Sequence, residues 1–231
     1  MNLYFVVEGR RTERLLYPRW LNFLLPQYTR TDNYENVSDN NYFLLSSEGF
    51  PSIIKRTQEA ISNITTINKY KKLIVILDSE DSSIEEREKS IQDILIASPL
   101  PKGVDLDIIV QHRCIETWLL GNRKAIPHQP TCTVTCKCKQ FYNVIEKDPE
   151  LMDKPNNHNG SIASFHEHYL SHALSDQSNG QAGYSKSHPG QTMTEPYWIQ
   201  LVARYNDTEH IQSIWPFIKL INEIRCHRSS Q

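Results

Sequence analysis

Short unbroken apolar runs alternate with longer segments of helical periodicity through the first half of the chain. Residues 2–7 read NLYFVV, 41–46 NYFLLS, 72–77 KLIVIL and 107–111 DIIVQ. Such runs are too short and too rich in branched side chains for comfortable helices, and they suit strands buried on both faces of a parallel sheet. Between the first two, Thr12 is placed to cap a helix in which Leu15, Leu16, Trp20, Phe23 and Leu24 recur at helical spacing until Pro26. Residues 27–40 are polar and read as a loop, and Gly49-Phe50-Pro51 turns the chain. A second helix, 52–67, carries Ile53, Ile54, Ala60, Ile61 and Ile64, and Ser83 is a cap for an acidic, exposed helix ending near Ala97. The order β-α-β-α-β-α-β predicts an α/β fold over residues 1–113, a mainly parallel sheet flanked by helices.

Regularity weakens afterwards. Cys114 to Gly121 (CIETWLLG) predicts a short helix whose Trp118 belongs to the core; residues 122–140 read as a loop and 141–153 as mixed structure. Residues 154–161 and 175–192 are rich in Asn, Ser, Gly and Pro. Two closing helices follow at 196–205 and 209–225, the second marked by Ile211, Ile214, Phe217, Ile218 and Ile221. Residues 114–231 therefore read as a helical, loop-rich elaboration packed on the α/β core.

The acidic residues change the picture most. The run at 73–77 stops at Asp78-Ser79-Glu80-Asp81, and in extended backbone Asp78 and Glu80 project the same way. Glu8 ends the first strand and Glu13 begins the helix after it. Open α/β sheets place their chemistry at the carboxyl ends of strands. Neighbouring strands would gather these carboxylates into one patch, and hard oxygen donors in a cluster favour Mg²⁺ or Mn²⁺. Taken alone, DSEDSS fits ordinary turn and cap residues; with Glu8 and Glu13 on the matching edge, metal is the better reading. Arg10, Arg11 and Arg14 follow Glu8 closely, and arginines can hold phosphate or neutralise nearby acids.

VVEGRRTE at 6–13, followed by acidic DSED at 78–81, resembles the Toprim fold of nucleases and topoisomerases. CIETWLLG at 114–121 is similar to a signature of RloB-like Toprim proteins, and Gly183-Tyr184-Ser185-Lys186 is similar to the Tyr-x-Lys that follows it there. The motifs keep the family's order over residues 6–186. The resemblance implies a metal-dependent endonuclease in which Glu8, Asp78, Glu80, Glu116 and Lys186 do the chemistry. Its metal ligands would be Glu8, Asp78, Glu80 and Asp81. It also implies context: RloB-like and overcoming-lysogenization-defect (OLD) relatives serve bacterial anti-phage defence, in PARIS-type systems and others, beside an ABC-type ATPase. There the nuclease, a toxin to its own host, cleaves DNA or tRNA once released, with self-association possible at that point. Two departures stand out. Glu80 replaces the second Asp of Asp-x-Asp, leaving Asp81 as the alternative ligand. Glu8 and Glu13 lie five apart where OLD relatives show four, which turns Glu13 ~100° further round a helix and speaks against it as a ligand. Glu116 reads equally well as a further ligand or as a carboxylate facing a helix start.

The 231 residues carry 25 Lys plus Arg against 27 Asp plus Glu, a net charge of −2, which argues against a general polyanion binder. No apolar segment reaches the ~18–20 residues of a membrane span, and MNLYFVVEGRR lacks the features of a signal peptide, so a cytoplasmic protein with reduced cysteines is expected. The chain has no Gly-x4-Gly-Lys-Ser/Thr, so an ATPase would have to be a separate chain. Cys132, Cys136 and Cys138 lie near His128, but their spacing departs from the paired ligands of structural zinc sites, and the segment reads as a loop with free thiols. His168 and His172 lie four apart on a presumed helix without a third ligand and read as surface or packing groups.

Overall fold

The first apolar run forms β1 (Asn2–Val7), buried along its whole length. It is the middle strand of the sheet in the computed structural model, which describes residues 1–226. The others are β2 (Thr29–Thr31), β3 (Asn41–Ser46), β4 (Tyr70–Asp78) and β5 (Asp105–Gln111), in the order β2-β3-β1-β4-β5. All pairings are parallel, with Val6 opposite Leu45 on one side and Val75 on the other. The expected α/β class is thus the observed one.

The period of two along β1 divides its side chains between two apolar bodies. Tyr4 and Val6 point to the face covered by α2 (Ser52–Ile67) and α3 (Ile84–Ala97), where they join Ile53, Ile64, Val75 and Ile91. Leu3, Phe5 and Val7 point to the opposite face. There they share one core with α1 (Thr12–Leu24) and with the chain's later helices: α4 (Ile115–Leu119), α5 (Thr133–Phe141), α6 (Ile162–Gln177), α7 (Glu195–Thr208) and α8 (Trp215–Cys226). Trp20 of α1 lies 4.9 Å, ring to ring, from Trp198 of α7, and its indole N–H donates to the Thr192 carbonyl at 3.0 Å. Trp118 is fully buried, as expected, and its indole N–H donates to Ser213 Oγ at 2.6 Å. Residues 114–226 accordingly cover one sheet face together with α1. Among the described residues no helix is long and apolar enough to cross a membrane.

Several elements differ from expectation. The 27–40 loop contains β2, a three-residue, largely exposed edge strand too short and polar to announce itself. The 122–140 loop contains most of α5, where only Thr135 and Cys138 are buried, so a polar helix leaves almost no apolar period to read. The final helix begins at Trp215 rather than 209, because Glu209 and Ile211 adopt left-handed backbone (φ 55° and 52°) and a 3-10 turn intervenes. Thr12 is the first helical residue and caps nothing; Arg11 occupies the cap position, and the Thr12 hydroxyl turns instead to the Tyr184 hydroxyl at 3.3 Å. At Ser83 the expected cap is present, with a reciprocal bond from the Ser83 N–H to Glu86.

Candidate active site

β1 runs into α1 on one face of the sheet, whereas its neighbour β4 runs into α3 on the other. The chain therefore leaves adjacent strand ends in opposite directions and opens a crevice between them, the place where α/β sheets bind ligands. Glu8 and Asp78 stand at that opening. The Asp78 backbone N–H donates to Glu8 Oε2 at 2.9 Å, so the two acidic residues meet across neighbouring strands. The backbone of Glu8 is itself tied down: its N–H reaches the Ile76 carbonyl at 3.0 Å, and its carbonyl accepts the Ser47 hydroxyl at 2.8 Å. Gly49, at φ 88°, also brings its N–H to that carbonyl, a backbone conformation that favours glycine.

The crevice is a cavity of about 440 Å³ lined by Glu8, Glu13, Asp78, Glu80, Glu116 and Lys186, together with Gly9, Arg10, Arg11, Thr12, Glu48, Gly49 and Ile115. Glu13 is buried within it, at a position its five-residue offset from Glu8 does not fix. The offset presumes a regular helix from Glu8 onward, whereas a turn intervenes and α1 begins only at Thr12. The Glu13 carboxylate then folds back onto Gly9, where any added Cβ would lie 1.6 Å from Oε2. Only a glycine leaves room for that carboxylate.

Glu116, 2% exposed, enters from the first turn of α4. The Tyr184 hydroxyl donates to its Oε1 at 2.6 Å. Behind it, buried His166 fixes α4 to α6: Nε2 donates to the Met152 carbonyl at 3.0 Å, leaving Nδ1 to accept the Thr117 hydroxyl at 2.8 Å. Burial holds this imidazole neutral, with its pKa lowered to about 4. Lys186 reaches the cavity with Nζ 3.2 Å from Glu167 Oε2. Burial alone would favour the neutral amine, but Glu116 and Glu167 outweigh it and raise the pKa, so the ammonium is held.

Glu80 and Asp81 do not follow the strand-end pattern. The strand stops at Asp78 and Glu80 adopts left-handed backbone (φ 49°), its N–H donating to the Arg113 carbonyl at 2.9 Å. Its carboxylate stays at the exposed rim of the cavity, 3.5 Å from Arg87, whose guanidinium lies 3.8 Å over the Phe50 ring. Asp81 sits on the exposed turn and does not line the cavity. Sequence reasoning gave no sign of Glu48, which borders the site from the β3–α2 turn and pairs with exposed Arg10 at 2.7 Å.

Burial first, and then the neighbouring carboxylates, raise the proton affinity of Glu8, Glu13 and Asp78. Burial pushes the Glu13 carboxyl up to about 7, helped by the charges of Glu116 and Glu8. Burial likewise lifts Asp78 well above the ordinary range, with Glu13, Glu8 and Glu116 adding to it. Glu8 is raised by burial despite the bond from the Asp78 N–H. A divalent cation would relieve this repulsion. Among the described residues no three His, Cys, Asp or Glu groups converge as tightly as an enclosed ion requires, so the carboxylates share a cavity rather than a finished coordination shell. Yet Asp78 Oδ1 is buried without any hydrogen-bond partner, which leaves one carboxylate oxygen waiting for a donor or a cation. Hard oxygen donors around that oxygen fit Mg²⁺ or Mn²⁺.

The cysteines give no comparable cluster: Cys138 is buried, Cys136 is exposed with its thiol toward the Pro130 carbonyl, and Cys132 precedes α5 at its cap position. Neither a protein-family model, nor a curated protein, nor a solved structure matches this chain.

Proposed function

We propose that the chain is a Mg²⁺- or Mn²⁺-dependent nuclease that hydrolyses nucleic-acid phosphodiesters, of the Toprim type its motifs resemble. The observation that carries this reading is the convergence of Glu8, Glu13, Asp78 and Glu116 with Lys186 in one open crevice at the β1 and β4 strand ends. Glu8 and Asp78 would hold the ion, with Glu13 and Glu116 completing its oxygen environment and Glu80 at the rim. When bound, such an ion lowers the pKa of water toward neutrality and offsets the charge developing on the phosphoryl oxygens. Lys186, held as an ammonium by Glu116 and Glu167, is placed to neutralise a non-bridging phosphate oxygen. Tyr184 keeps Glu116 turned into the crevice rather than toward bulk water. In the setting that the resemblance implies, the nuclease is the toxic effector of a cytoplasmic anti-phage system restrained by an ABC-type ATPase, with tRNA or DNA as its substrate.

A second reading keeps the fold and drops the reaction: a regulatory subunit whose site has decayed. The exposed Glu80, turned toward Arg87 where the resembled family has an Asp, favours it. The two separate in a nuclease assay on plasmid, single-stranded DNA and total tRNA with Mg²⁺ and Mn²⁺, comparing wild type with Glu8→Ala and Asp78→Ala. Metal-dependent cleavage abolished by either substitution supports the nuclease. Equal inactivity of all three proteins, with equal growth of cells expressing them with or without the ATPase, supports the subunit.

A further inference from the structure

A second concavity of about 400 Å³ adjoins the acidic crevice, lined by Arg10, Arg11, Arg14, Arg30, Asp32 and Leu15. Arg10 and Arg11 border both cavities, so the two lie side by side. The grouping is made by the fold: Arg10, Arg11 and Arg14 come from the entry to α1, while Arg30 comes from the edge strand β2. All four arginines are exposed. Arg10 is paired with Glu48, but among the described residues Arg11, Arg14 and Arg30 have no carboxylate within ion-pair distance. Four guanidinium groups around one concavity repel one another, in a chain whose overall charge is −2. An anion in the groove would relieve that repulsion.

The chemistry of the lining restricts which anion. Guanidinium forks hold phosphate oxygens bidentately. Proteins that bind unpaired strands add aromatic side chains on which bases stack, and this lining has none. We propose that the groove holds the phosphodiester backbone of base-paired nucleic acid and leads it to the Glu8–Asp78 crevice. The proposal rests on the nuclease reading for its direction but not for its binding.

The test is fluorescence anisotropy in EDTA with a labelled DNA duplex, an RNA hairpin and a single-stranded homopolymer of equal length, over a range of salt. The variants are Arg14→Ala/Arg30→Ala, neither of which lines the acidic crevice, the matching double lysine variant, and Arg19→Ala on α1 outside the groove as control. The alanine pair should weaken binding of paired nucleic acid at least tenfold and reduce the slope of log affinity against log salt by about 2, one for each phosphate left without its arginine. The lysine pair should keep the slope and lose part of the affinity, and Arg19→Ala should change neither. Unchanged affinity and slope in the alanine pair overturn the groove, and tighter or equal binding of the single strand overturns the base-paired class. Cleavage is scored separately. Glu8-dependent cleavage with normal binding by the alanine pair leaves the nuclease standing without the groove. Binding lost in that pair, with no cleavage by wild type, leaves the groove standing without the nuclease.

Discussion

The Tyr184 hydroxyl donates to Glu116 Oε1 at 2.6 Å, joining residues 68 positions apart inside the acidic crevice. A buried hydrogen bond to a carboxylate is worth about 1.5–3 kcal/mol. Tyr184→Phe should destabilise the protein by about that amount in urea unfolding, and should lower metal-dependent cleavage more than it raises KM. Unaltered stability in this variant would mean that the hydrogen bond does not form in solution.

Gly9 makes room for the Glu13 carboxylate, since any Cβ there would collide with Oε2 at 1.6 Å. Gly9→Ala should displace Glu13 from the crevice while leaving the sheet intact. Its far-ultraviolet circular dichroism should match wild type, whereas the rise in Tm produced by saturating Mn²⁺ should shrink. An undiminished rise would show that Glu13 takes no part in holding the ion.

Stability without metal should depend on pH in an unusual direction. Glu13 and Glu150 both titrate in the folded state at about 7, through burial above all, against an ordinary value of 4.5. Between these values the folded protein keeps protons that the unfolded chain has released, so unfolding free energy falls as pH rises. The contribution is full below pH 4.5 and lost on passing 7, a few kcal/mol for the two groups together. Glu13→Gln and Glu150→Gln should each flatten part of the slope in urea titrations between pH 5 and 8. Added Mg²⁺ should stabilise more at pH 8 than at pH 5.5, because the ion competes with protons for the crevice carboxylates.

Removal of the later helices should expose the sheet face formed by Leu3, Phe5, Val7, Ile74 and Ile76, which pack in one core with Trp118, Trp198 and Phe217. A fragment of residues 1–113 should be insoluble, or molten with bound hydrophobic dye and no sharp thermal transition. Cooperative unfolding of that fragment would mean that α1 alone covers the face.

Four of the five strands were legible because burial on both faces demands unbroken apolar runs, which the exposed edge strand β2 lacks, and Glu8 and Asp78 were legible because they end two of them. Glu116 and Lys186 entered through resemblance rather than periodicity; nothing local in a Gly/Ser-rich loop shows that Lys186 folds back to the strand ends. Helical spacing does not fix where Glu13 points, because a turn lies between Glu8 and the start of α1. Glu80 stands at the rim rather than beside Asp78 because its left-handed backbone ends the strand alternation that the sequence pattern implies. α5 was invisible for a different reason: it offers the core only Thr135 and Cys138, so its polar sequence looks like a loop. Tertiary position, rather than local pattern, decided each of these.

The dependence of the crevice on residues far along the chain sets an order of events during synthesis. All five strands, with Glu8, Glu13 and Asp78, leave the ribosome before Tyr184 and Lys186 are made. At about 5–20 residues per second, the 70 positions separating Glu116 from Lys186 take roughly 4–14 s to translate. Throughout that interval Glu116 lacks the hydroxyl that orients it, the crevice lacks its lysine, and the α7 and α8 cover of the sheet is still missing. A nascent chain therefore carries the acidic half of the site without its cationic half, and the complete crevice first exists only once Lys186 has left the ribosome.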